Sequence, residues 1–196
     1  GIENCLNSPE DCDKENIPLY LNIIKTGVER ASEIVKALNL FSRSNESYTE
    51  TCDIHSIIDN SLIILTNQYK NRIEVIKEYD PESVVASGNV SKLLQVFLNV
   101  LTNSIHAIED EGKITVKTRR NNEYAVVVIT DSGCGICKEN LSKVTDPFFT
   151  TKDPGKGTGL GLSIAYKIIQ EHKGILNINS EEGKGTVVEV ELPLKK

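Results

Sequence analysis

From Ile17 onward the apolar residues fall on a regular grid. Ile17, Leu21, Ile24, Val28, Ala31, Val35 and Leu38 are spaced 4, 3, 4, 3, 4 and 3 residues apart. This is an a/d seam of period 3.5, which suits a helix in a bundle better than one lying alone on its own domain. One such helix cannot bury its own stripe, so the pattern predicts a helical partner. Residues 1–16 are polar and read as a loop or disordered start, and Ser42–Thr51 as a hinge.

The pattern then alternates between helix and strand. Asp53 is placed to cap a helix with Ile58, Leu62, Leu65 and Tyr69 on one face. Residues 72–79 alternate as a strand. A helix starts at Asn89 or Ser91 and runs to about Asp110, with Leu94, Leu98, Leu101, Ile105 and Ile108 as its core stripe. Residues 113–120 and 123–130 form a hairpin about Asn121-Asn122. A helix over 160–173 and strands over 175–180 and 186–192, parted by Gly183-Lys184-Gly185, complete the chain. The pattern predicts an α/β layer fold, with helices on one face of a mixed sheet and a bundle-type helix ahead of it.

Composition narrows the function classes. The chain has 196 residues and a formal net charge of −6, which disfavours a nucleic-acid partner. No apolar run approaches the roughly 20 residues that span a bilayer, so the chain reads as a soluble piece without membrane contact. Five cysteines and no secretory pattern suggest reduced thiols. Cys134 and Cys137 form a CxxC pair, but no second pair completes a four-ligand site. They read as two thiols that fall in a glycine-rich turn.

Four segments carry candidate chemistry. On the helix 89–110, Gln95, Asn99, Asn103 and His106 share a face away from the core stripe. Asparagine is a poor helix former, and its carbonyl oxygen suits a hard cation such as Mg²⁺. Asp131 ends a strand and is followed by Gly133, Gly135 and Ile136. A carboxylate there can hold an exocyclic amine, while glycine lets the backbone close on a flat ring. Asp146-Pro-Phe-Phe-Thr-Thr-Lys152 reads as a lid, with Lys152 as a phosphate contact. Gly157, Thr158, Gly159, Leu160, Gly161 and Leu162 lead straight into a helix, where glycine-rich backbone makes an anion site. The pattern is neither a Walker A loop nor a dinucleotide fingerprint.

Together these segments resemble a known family. QVFLNVLTNSIHAI is similar to the N box of sensor histidine kinases, DSGCGI to the G1 box, DPFFTTK to the F box and GKGTGLGLSIAYKII to the G2 box. The order also matches, as does the closing GKGTVVEVELP. The resemblance covers residues from about 53 to the end and belongs to the GHKL group of gyrase, Hsp90, histidine kinase and MutL. It implies a two-layer α/β sandwich over 53–196 that binds ATP and Mg²⁺. More loosely, residues 17–45 resemble the second helix of a dimerisation and phosphotransfer hairpin.

Carried over by position, the resemblance makes Asn103 the Mg²⁺ ligand and sets Asn99 one turn earlier, near the phosphates. Relatives that hydrolyse ATP have glutamate at Asn99, and an amide cannot take a proton, so transfer is implied rather than hydrolysis. Asp131 would accept from the adenine amino group, with Gly133, Gly135 and Ile136 lining the base and Thr186 nearby. Lys152 and Gly157–Leu162 would surround the phosphates. His106 sits where many members have Lys, Arg or Gln.

The family's phosphoacceptor, a histidine followed by an acid, is missing. His55 follows the heptad helix, His106 is in the ATP-binding helix, and His172 reads as a cap contact beside Gly174. The expected function is therefore that of a catalytic fragment. It passes the γ-phosphoryl to a histidine outside itself, for relay to the receiver domain of a response regulator. The parent would be a homodimer, and the fragment cytoplasmic or the cytoplasmic part of a membrane-bound sensor. The missing histidine leaves two other readings open, a non-catalytic nucleotide-binding regulatory module and a related serine kinase.

Overall fold

The computed structural model describes residues 17–25, 27–28, 48–121, 123–152 and 157–195. The chain divides into two compact units. The first is Gly1–Arg43 with Thr150–Thr158, and the second is Ser44–Phe149 with Gly159–Lys196. In the first, residues 17–25 and 27–28 are helical, and Ile17, Leu21, Ile24 and Val28 of the heptad grid are exposed. Ala31, Val35 and Leu38, the polar start at 1–16 and residues 42–47 of the expected hinge lie outside the described residues.

The second unit is built on a five-stranded sheet with one hydrophobic face. Its elements in chain order are β1 (Glu50–Asp53), α1 (Ile54–Tyr69), β2 (Ile73–Glu78), β3 (Val85–Gly88), α2 (Val90–Ala107), β4 (Gly112–Arg120), β5 (Tyr124–Asp131), α3 (Lys138–Leu141), α4 (Gly161–Glu171), β6 (Ile175–Glu181) and β7 (Gly185–Pro193). The sheet runs β2-β4-β5-β7-β6, with β2 and β4 parallel and the other pairs antiparallel. Ile114 and Val116 of β4, Ala125, Val127 and Ile129 of β5, and Val188, Val190 and Leu192 of β7 are buried. These are alternate positions, so one face of the sheet carries the core. Helices α1, α2 and α4 supply the second layer, with α2 packed between the other two. This is the α/β sandwich that the pattern predicts.

Three details differ from expectation. Glu50 and Thr51 are not hinge: β1 pairs antiparallel with β3 in a two-stranded sheet, from Glu50↔Gly88 to Asp53↔Val85. The core stripe of α2 is centred one residue earlier than expected, on Leu93, Phe97, Leu101 and Ile105, all within 1% of full burial, while Leu94 and Leu98 are only partly buried. A helix flanked by two others and a sheet is apolar around most of its circumference, so several phases of the stripe fit the sequence. The four-residue α3 was not expected at all.

Helix α2 is fixed at both ends by side chains from elsewhere. At its start the Asn89 side chain caps Lys92 N–H at 3.0 Å. Asn89 N–H in turn donates to His172 Nε2 at 3.0 Å, and His172 Nδ1 lies 2.7 Å from the Ile168 carbonyl near the end of α4. These partners require the neutral tautomer with the proton on Nδ1. Gly88 lies under the ring, since a Cβ there would stand 2.5 Å from His172 Cδ2, and Tyr48 meets the ring edge-on with centroids 4.7 Å apart. At the other end Arg72 donates to the carbonyls of Ile105 (2.9 Å), Glu109 (3.4 Å) and Ile108. It satisfies carbonyls that the helix leaves open and sets a cation against the negative end of its dipole.

Burial, with Lys92 nearby, holds the His172 imidazole below its ordinary protonation range, against the Ile168 carbonyl and Glu171, which favour the charged form. The folded state therefore disfavours the proton that the unfolded chain accepts near pH 6.5, so stability is lost as pH falls through that range. Between about pH 7.5 and 5.5 the denaturation midpoint should fall, and His172→Asn should remove this component while lowering the midpoint at neutral pH. An equal acid response in the variant would show that His172 is not its source.

Candidate functional site

The site grows from the end of β5. Register places Asp131 opposite Thr186 at the start of β7 and Ile114 on β4, so its carboxylate turns inward with the core residues of β5. It is 4% exposed. A buried carboxylate needs donors, and three converge on this one. Gly133 N–H and Thr186 N–H reach Oδ1 at 3.0 and 3.2 Å, and the buried Ser104 hydroxyl of α2 donates as well. Burial still pushes the acid above its ordinary range, although each of the three donors pulls it down.

Glycine is needed at two points around this carboxylate. At Gly133 a Cβ would stand 2.6 Å from Ala107 Cβ, so the strand end can pass the end of α2 only without a side chain. Gly135 has φ +70°, and a Cβ there would lie 2.1 Å from the Glu181 carbonyl. Cys134 N–H donates to Ala107 O at 2.9 Å, and Ile136 N–H to Ser180 Oγ at 2.8 Å. The Ser180 hydroxyl also meets Gly185 O at 2.8 Å and Thr186 Oγ1 at 3.0 Å. Gly133, Ile136 and Thr186 are thus linked by hydrogen bonds through Asp131 and Ser180, with Gly135 packed against Glu181.

A second cluster forms where α2 meets the start of α4. Asn99 Nδ2 donates to the Gly161 carbonyl at 3.0 Å, leaving its side-chain oxygen as an acceptor. Gly161 lies against both asparagines, since a Cβ on it would stand 3.8 Å from Asn99 Cγ and 3.9 Å from Asn103 Nδ2. Asn99 and Asn103 are half-buried, and His106 on the next turn is exposed. Leu160 is buried and precedes the first turn, its carbonyl accepting from Ile164 N–H at 2.9 Å and Ser163 Oγ at 3.0 Å. Leu162 and Gly159 are half-buried beside it. Gly159 has φ +68°, and a Cβ there would stand 2.4 Å from the carbonyl carbon of Phe148, which itself has φ +67° and is 61% exposed. Such an angle is an outlier for an aromatic residue, and Gly159 packs directly against the Phe148 carbonyl.

Of the sequence-derived candidates, the structure assembles Asn99, Asn103, His106, Asp131, Gly133, Gly135, Ile136, Gly159, Leu160, Gly161, Leu162 and Thr186 within the second unit. Lys152, Gly157 and Thr158 belong to the first unit, where Lys152 N–H donates to Thr150 Oγ1 at 3.2 Å. Ser104 and Ser180 were missed. Ser104 had a signal: it is a lone hydroxyl on the stripe Phe97, Leu101, Ser104, Ile108. Ser180 had none, since its partners arrive from separate segments. No cluster of metal-binding His, Cys, Asp or Glu occurs among the described residues.

Chemically, one end of this site offers a desolvated carboxylate beside a tightly packed glycine wall, which suits a flat, amine-bearing ring. The other end offers amide oxygens and a glycine-rich helix start, which suit a cation and anionic oxygens. Residues 88–196 match the family model described as histidine kinase-, DNA gyrase B-, and HSP90-like ATPase. The chain belongs to this family. Among curated relatives, sporulation kinase C of Bacillus subtilis is 34% identical over 178 residues, covering 90% of this chain. The signal transduction histidine-protein kinase AtoS of Escherichia coli is 32% identical over 177 residues, covering 89%. This chain spans only 41% and 29% of their respective lengths. Among solved structures, the catalytic domain of histidine kinase ThkA is 30% identical with a TM-score of 0.67, over 75% of this chain and 98% of that one. ThkA in complex with the response regulator TrrA is 27% identical with a TM-score of 0.77, over 94% and 53%. These relatives are histidine kinases, and the shared region is the ATP-binding catalytic domain of such kinases.

In this histidine kinase-type domain, Ser104 is the one side-chain donor among the groups that hold the Asp131 carboxylate. Ser104→Ala should therefore raise the Asp131 pKa further, because the hydroxyl stabilises the charged form. A carbon-13 NMR titration of the Asp131 carboxyl would show this, and an unmoved titration would exclude the contact.

Proposed function

We propose that this chain is a catalytic fragment of a sensor histidine kinase that binds Mg-ATP and donates the γ-phosphoryl to a histidine outside itself. The observation that carries the proposal is the buried Asp131 carboxylate, with Gly133 and Thr186 N–H on one oxygen. A buried acid with spare acceptor capacity is matched by the exocyclic amine of adenine. Gly133, Gly135 and Ile136 line the base, and Thr186 stands beside it.

The asparagines support the phosphate end. The Asn103 oxygen is a hard donor that fits Mg²⁺, and Asn99 lies next to Gly161 at the phosphates. When bound, Mg²⁺ neutralises charge developing on the phosphate oxygens. Gly159, Leu160, Gly161, Leu162 and His106 contribute N–H groups and side-chain donors to the same oxygens. The Asn99 amide cannot accept a proton from water, so the site favours transfer over hydrolysis.

None of the three histidines suits the acceptor role. His55 is stacked on Tyr79 and bonded to Thr118 Oγ1 at 2.8 Å, His172 is locked between Asn89 and Ile168, and His106 stands on the donor helix itself. A phosphohistidine formed elsewhere would pass its phosphoryl group to a response-regulator aspartate, in keeping with the ThkA–TrrA complex. The heptad helix fits a two-fold phosphotransfer hairpin, hence a homodimeric parent with this part in the cytoplasm.

Calorimetry with ATP or ADP and Mg²⁺ should show binding in the millimolar range or tighter, and Asp131→Asn should weaken adenine nucleotides about tenfold or more. Unchanged affinity in the variant would remove Asp131 from the adenine site. With γ-labelled ATP, label should appear on a separately supplied histidine-bearing hairpin. Binding without any transfer would favour a regulatory module instead.

A further inference from the structure

The loop walling the Asp131 pocket carries two thiols with no part in the chemistry above. Cys134 is exposed and Cys137 half-buried, whereas Cys52 is fully buried and its thiol is pushed up by burial. Gly135 and Ile136, which line the pocket, are the residues between the pair. The segment is pinned on both sides: Cys134 N–H to Ala107 O, Gly183 N–H to Cys134 O at 2.8 Å, and Ile136 N–H to Ser180 Oγ.

The backbone runs from Cys134 to Cys137 with neither a hydrogen-bonded turn nor a sharp bend. Three peptide units reach at most about 10 Å when fully extended. A disulfide needs its α-carbons within roughly 4.4–6.8 Å. Joining the two thiols therefore asks the segment for a turn that it does not make, which would pull Gly135 and Ile136 off the Glu181 and Ser180 contacts.

We propose that Cys134 and Cys137 form a thiol-oxidation site for a small-molecule disulfide, and that closing it dismantles the adenine wall. The effect on nucleotide rests on the adenine reading given above. In the first step the Cys134 thiolate attacks one sulfur of the small disulfide. That S–S bond breaks, a mixed disulfide forms, and one small thiol leaves with the proton from Cys134. The Cys137 thiolate then attacks the Cys134 sulfur, and the second small thiol leaves with the proton from Cys137. Two protein thiols are oxidised and one disulfide is reduced to two thiols, so a reductant restores the open loop.

The test uses the full chain with Cys5→Ser and Cys12→Ser, so that buried Cys52 is the one other thiol. After oxidised glutathione, mass spectrometry should find the peptide bearing Cys134 and Cys137 lighter by two hydrogens. ADP affinity should fall about tenfold or more and recover on reduction. Cys137→Ser should keep its reduced-state affinity and carry glutathione at most, never the internal link. If no link forms, or if the linked protein binds ADP as the reduced one does, the proposal is overturned. If the reduced protein binds no ADP, the adenine reading falls and the nucleotide coupling with it. The mass shift then decides the thiol chemistry alone.

Discussion

The structure depends on the rotation of α2 about its own axis. The helix carries its amides on one side and an apolar stripe with one hydroxyl on the other, so a shift of one residue, about 100°, would bury Asn99 and Asn103 and expose Phe97. Packing against α1 and α4 leaves several phases open, because the helix is apolar around most of its girth. Contacts at its two ends fix the phase. His172 and Asn89 set the first turn, Arg72 holds the last carbonyls, and Gly133 meets Ala107 with no room to spare. The amide-bearing face is held by groups that lie outside it.

The buried Asp131 carboxylate is the costliest group in the site, and strand register explains how it is tolerated. Pairing with Thr186 brings a backbone N–H to it without a dedicated side chain. A slip of one residue between β5 and β7 would turn Asp131 to the solvent face and lose that donor. The register that closes the hydrophobic core therefore also orients the acid. Fold and site share one alignment.

Much of this was legible because it is local. The hairpin of β4 and β5, the Asp53 and Asn89 caps, and the glycine-rich start of α4 are written in neighbouring residues. What was not legible depends on partners far along the chain. Strands β1 and β3 are four residues each and exist through pairing across some thirty residues, so Glu50 and Thr51 resembled hinge. The phase of the α2 stripe was not legible because Leu94 and Leu98 are as apolar as Leu93 and Phe97, and which pair is covered is decided by distant partners at the helix ends. Ser180 looks like any strand serine until Ile136 and Thr186 arrive beside it. The motif resemblance supplied Asp131 and Asn103, whereas their supports, Ser104, Arg72 and His172 with Asn89, came from the fold.

Phe148 and Gly159 meet back to back, both in the left-handed region. The backbone thus leaves the second unit and re-enters it at a single stem. The strands on either side are tied together at that point, because Phe148 and Gly159 are anchored to each other. Such an arrangement separates two evolutionary demands. The sheet and α2 must keep their register to preserve the pocket, whereas the stem asks only that two left-handed residues stand against each other.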